Sequence, residues 1–241
     1  MSAHAFRAQA GAEIRMTLER GETLLVTLGI PVILLVFFTL VPVLPTGTSR
    51  RIDFIAPGVL TLAIMSTAMV SLGIATGFER SYGVLKRLGA TPLGRPRLLG
   101  AKIGSVGLVE VLQVVVIVGV SVALGWRPHA SAGLALAAVV LATIGFAGIG
   151  LTMAGALRAE VTLAAANGVY IVLLLFGGVL FPLQKLGGLA TVARLFPAAA
   201  LSDVLRPALG TGGPVPVEAW IVLVFWAVVA PVCAALTFRW E

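Results

Sequence analysis

The sequence predicts an all-α integral membrane protein of six transmembrane helices, and three observations predict it. Six apolar runs recur along the 241-residue chain, each near the ~20 residues that a helix needs to cross a ~30 Å hydrocarbon core. The composition agrees, with 59% hydrophobic and 11% charged residues and a mean hydropathy of +1.07. The 17 Lys and Arg gather in a few connections instead of spreading over a wetted surface. Spans and connections use up nearly all of residues 1–241 as a single transmembrane domain, which leaves no room for a sizeable soluble module.

The elements follow in order. Residues 1–22 form an interfacial amphipathic helix. Phe6, Ala10, Ile14 and Leu18 recur at four-residue spacing, with Arg7, Glu13, Arg15 and Arg20 elsewhere, a pattern suited to the membrane surface. The first apolar run begins near Thr23, behind this charged segment, and reads as a retained span, not a cleaved leader. The spans cover about 23–42, 56–77, 104–124, 133–156, 162–181 and 218–238. Each is helical because a backbone amide in lipid has no water to bond. Pro31 and Pro231 lie inside the first and sixth spans and bend them. Gly73 and Gly77, then Gly145, Gly148, Gly150, Ala154 and Gly155, make smooth faces. Lipid supplies no hydrophobic drive between helices, so such faces serve close packing.

Orientation follows from charge. Eleven of the 17 Lys and Arg fall on the side holding both termini and the loop 78–103, which places that side in the cytoplasm. The net charge of +7 therefore suits orientation and anionic lipid head groups, not nucleic acid. Cys233 is the one cysteine, and His4 and His129 lie far apart, so neither a disulfide nor a metal cluster is expected. Paired carboxylates, histidine clusters and Ser/His/Asp sets are not evident, which argues against a membrane enzyme.

The loop 78–103 carries the most information. It opens as a short helix with Val84, Leu85 and Leu88 on one face and Glu79, Gly83, Lys86 and Arg87 on another. Gly89 stops it, and Thr91-Pro92 starts the next turn. Held at both ends by spans, such a helix is a lever for a cytosolic partner or a basic anchor on lipid. Within the spans, Glu110 and Gln113 of the third and Asn167 and Tyr170 of the fifth are candidates to line a translocation path, Asn167 and Tyr170 being suited also to interhelical hydrogen bonds. An intramembrane carboxylate is costly and points to function. Glu110 either lines a translocation path, meets a cationic substrate, or pairs with a basic residue at the rim about 10 Å away. Trp126, Trp220 and Trp240 sit at span ends as interface anchors. Residues 182–217 hold Pro182, Pro197, Pro207, Pro214 and Pro216 among apolar residues, which suggests short helices folded back on the outer rim.

The stretch Glu79-Arg80, Gly83, Leu85-Lys86-Arg87-Leu88, Thr91-Pro92, Arg95 and Lys102 resembles the cytoplasmic signature of ABC-2 type transporter permeases. Glu13 to Pro31 resembles the family's entry into its first span. Gly177 to Pro182, then Phe196-Pro197, Asp203, Arg206 and Gly210, resembles its extracytoplasmic re-entrant helical region, with Phe196 where many members carry Asn. The resemblance implies a permease subunit of an ATP-binding cassette exporter, located in the bacterial inner membrane. Its expected cargo is hydrophobic or amphipathic. Glu79, Arg80, Tyr82, Gly83, Leu85, Lys86, Arg87, Leu88, Thr91 and Pro92 would form the cytoplasmic coupling helix. Partners would be two cytosolic ATPase subunits that bind ATP and Mg, and a second copy or a sister permease. The sequence itself contains no Gly-x-x-x-x-Gly-Lys-Ser/Thr phosphate loop. The alternative is a proton- or ion-coupled carrier using Glu110.

Overall fold

The computed structural model describes residues 21–43, 50–85, 95–128 and 131–238. The predicted helix over 1–22 lies almost wholly outside them, as do Lys86, Arg87, Leu88, Thr91, Pro92 and Trp240. The described chain is helical: α1 (Gly21–Leu40), α2 (Arg51–Ser81), α3 (Arg95–Ala123), α4 (Ala132–Ala156) and α5 (Ala159–Phe176). Short helices follow, a 3₁₀ segment Leu183–Leu189, α6 (Ala190–Ala193), α7 (Pro197–Leu205) and a π turn Arg206–Thr211, before α8 (Val217–Thr237). The helices α2, α3, α4, α5 and α8 contain stretches long and apolar enough to cross a membrane. In α1 the qualifying stretch, Thr27–Leu40, is shorter.

Several boundaries move, most of all at α3, which begins at Arg95 and not at 104. α2 runs for 31 residues, longer than a bilayer needs at ~1.5 Å per residue. It therefore carries Glu79 and Arg80 in its own last turn. The expected single helix over 79–88 is broken at Gly83, whose φ of +68° ends α2 in the left-handed conformation that only glycine adopts cheaply. α5 stops at Phe176, short of the expected 181, because Gly177-Gly178 turns the chain, with Gly178 at φ +64°.

α2 and α4 are the centre of the bundle. Their apolar windows are 72% and 56% buried, against 22–28% for α3, α5 and α8. The small residues explain how they meet. A Cβ on Gly150 would stand 2.5 Å from the Met69 carbonyl oxygen, and one on Gly73 would press the Gly150 backbone at 3.0 Å. α4 and α8 meet in the same manner, Gly148 lying against Ala230 and Pro231, and Gly145 against Trp226. Backbone-to-backbone packing of this kind needs side chains reduced to hydrogen. α2 widens to a π turn over Ser66–Ser71, opposite Gly150.

At the far end from Ser81, α7 rests on α2, α4, α5 and α8 and is almost entirely buried from Pro197 to Leu205. Trp126 corrects the expected anchor role. It is 1% exposed, because the turn at Gly125 and the bond from its amide to the Ser121 carbonyl fold the indole back into the bundle.

Candidate functional site

The roots of the basic loop are fastened to the bundle. Glu79 forms an ion pair with Lys102, near the start of α3. Arg80, its neighbour, donates to the carbonyls of Gly155 and Leu157 at the C-terminus of α4. A helix ends with unpaired carbonyls and a partial negative charge, so a guanidinium suits that position. Beyond these two residues the surface changes character. Tyr82 is 71% exposed, with a tilted ring contact to Phe78 at 6.1 Å. Leu85 turns back and is fully buried.

The structure brings the intramembrane polar residues of α3 into one layer facing the bundle. Lys102, Val106, Glu110, Gln113, Ile117 and Ser121 are buried at three- and four-residue spacing, the inner face of a helix. Glu110 Oε2 accepts a hydrogen bond from Thr143 Oγ1 of α4 at 2.6 Å. Gln113 Oε1 accepts from Thr67 Oγ1 in the π turn at 3.0 Å, and its Nε2 donates to the Thr27 carbonyl of α1 at 3.1 Å. The basic partner expected for Glu110 at the rim is not the one observed; Lys102 is paired with Glu79. Thr27, Thr67 and Thr143 were invisible as site residues, since a threonine in an apolar run carries no signal until its cross-helix partner is known.

Asn167 and Tyr170 stand elsewhere. Asn167 is exposed on the outer face of α5 and donates to the Leu163 carbonyl of its own helix at 2.8 Å. Tyr170 is half-buried. Neither joins the layer around Glu110.

At the opposite end Arg206 does what Arg80 does. It donates to the Gly178 and Val179 carbonyls, and its guanidinium lies 3.7 Å from the Phe54 ring centre. Burial pulls its pKa down to about 10, with Asp203 opposing. Burial likewise lifts the Asp203 carboxyl, with Arg206 and Arg194 pulling it back. Among the described residues, no group of three His, Cys, Asp or Glu is placed to hold a metal ion.

A family model described as "ABC-2 type transporter" matches residues 5–209. No curated protein matches the chain.

Proposed function

This chain belongs to the ABC-2 type transporter family, and from that premise we propose that it is the membrane-spanning permease subunit of an ATP-driven exporter. ATP and Mg are bound by separate cytosolic ATPase subunits, two per assembly, and this permease pairs with a second copy or a sister chain. The cargo is hydrophobic or amphipathic and leaves the cytoplasm or the inner leaflet. All six predicted spans cross the membrane, the short helices before α8 form the re-entrant region, and both termini and the loop 78–103 face the cytoplasm. The observation that carries the reading is the construction of that loop's root: α2 overruns the bilayer and leaves Tyr82 in the open. Lys86, Arg87, Leu88, Thr91 and Pro92 continue the surface that the ATPase grips. Asn167 supports a path beside α5, because an amide exposed midway along a span is poorly served by lipid.

The experiment is co-purification from native membranes followed by reconstitution. The wild-type protein is expected to bring down a Walker-motif ATPase, and transport is expected to need ATP. One observation favours an ion-coupled carrier instead: Glu110 Oε1 is buried without a hydrogen-bond partner among the described residues. Transport driven by a proton gradient without any ATPase, and abolished by Glu110→Gln, would replace the exporter reading with that one.

A further inference from the structure

Glu79 and Arg80 are adjacent in sequence and reach different helices. Arg80 bonds to backbone carbonyls at the end of α4, and no side-chain change on α4 removes those acceptors. Glu79 meets Lys102 side chain to side chain. That contact is a charge pair between a Lys102 side chain only 7% exposed and a Glu79 side chain 33% exposed. The end of α2 is thus locked to α4 by Arg80 and tied to the start of α3 by the Glu79–Lys102 ion pair, with Glu110 and Gln113 bonding α3 to its neighbours deeper in the bundle. α4 in turn is seated on α8 through Gly148 and on α2 through Gly150. The buried α7 at the other end touches all three. A displacement at the end of α2 therefore has a continuous route of stiff contacts to the far end, and reaches the start of α3 through the Glu79–Lys102 pair.

We propose that Arg80 and the Glu79–Lys102 pair are positioning residues that divide the loop's motion, Arg80 passing it into the α2–α4–α8 core and Glu79–Lys102 setting how far α3 follows. They face inward and are not part of the surface the ATPase grips. The inference rests on the permease reading above. Its physical basis is the difference between the two links. Charge-assisted bonds to fixed backbone acceptors hold their geometry, whereas the Glu79–Lys102 pair, buried at its contact, depends on two side chains and is reversed by exchanging their charges.

The test uses the permease in complex with the ATPase that co-purifies with it, with Cys233 replaced by serine. Spin labels are attached at Gly104, which has open space around it, and at Glu160, which is exposed. The distance between them is measured without nucleotide and with ATP, Mg and orthovanadate. Glu79→Lys and Lys102→Glu are each expected to cut the shifted fraction about fivefold, and the double exchange to restore it. Arg80→Gln is expected to abolish the shift, with Arg80→Lys retaining part of it, while the ATPase still co-purifies. An unchanged shift in both single reversals, or a double exchange that fails to restore it, overturns the proposal. That cycle decides alone if Arg80→Gln fails to fold. Loss of the ATPase on Glu79→Lys or Arg80→Gln also overturns it, since the residues would then be docking surface. A wild-type permease that retains no ATPase and shows no shift sinks the permease reading itself, a separate and recognisable result.

Discussion

The two ends of the bundle are built differently. At the end holding Ser81, neighbouring helices are joined by Arg80 on the α4 carbonyls and by the Glu79–Lys102 pair. At the other end, α7 is buried except at Asp203, and the chain is fitted backbone to backbone. A Cβ on Gly210 would stand 2.1 Å from the Asp53 carbonyl oxygen, and one on Gly58 would stand 2.6 Å from that of Val179. Arg206 adds bonds there, but inside a packed setting. The difference is one of reversibility. A side-chain pair such as Glu79–Lys102 can separate without repacking the helices around it, while close-packed backbone resists any partial rearrangement. A permease worked from the cytoplasm would need the first kind where the push arrives and the second where the outer rim must stay shut.

The comparison can be broken at its strongest point by adding a methyl group. Gly148→Ala and Gly150→Ala place a Cβ about 2.5 Å from backbone atoms of α8 and α2, and neither neighbour can swing away. A loss of roughly 3 kcal/mol is expected for each, read as a drop in the melting temperature of the detergent-solubilised protein. Gly104→Ala, which meets nothing, should leave it unchanged. Next in size is Arg206→Met, which gives up two carbonyl acceptors and the Phe54 ring at about 2 kcal/mol. It should loosen the end holding α7, giving faster hydrogen exchange over 177–180 without altering the loop end.

Smaller again are the links at the loop end. Lys102→Ala should cost about 1–2 kcal/mol in stability, since the buried Glu79 Oε2 loses its partner while the rest of that side chain keeps some solvent, and its effect on nucleotide-driven motion is large. That split between stability and motion sharpens the contrast with Gly148. The smallest effect is at Asp203. Burial raises its folded pKa above the unfolded value, so its contribution is fully present below the unfolded pKa and fades as pH rises through the folded one. Melting temperatures followed upward from the ordinary carboxylate range should show this decline in the wild type and lose it in Asp203→Asn.

Much of the architecture was legible because it follows from one-dimensional pattern. The apolar runs near 133–156 and 218–238 became Ala132–Ala156 and Val217–Thr237 with boundaries almost unmoved, and the glycines marked close-packing faces correctly. What the pattern did not carry was partnership. Gly148 announces a close neighbour but does not say that it is Pro231. Glu110 announces a partner, and the partner is a threonine thirty-three residues away, a residue with no signature of its own. Gly83 was read as one side of a helical face, whereas its positive φ makes it the end of α2. Tertiary pairing also decided Trp126, where a turn overrode the preference of tryptophan for the membrane interface.

The central claim is that an external ATPase takes hold of this chain at the loop beginning with Tyr82. The most direct measurement puts a photo-cross-linking amino acid in place of Tyr82, irradiates intact cells and identifies what is captured. The account predicts a covalent adduct with a Walker-motif ATPase that disappears when Lys86 and Arg87 are reversed in charge. Capture of an extracytoplasmic protein, or no ATPase adduct from cells that still transport, would contradict it.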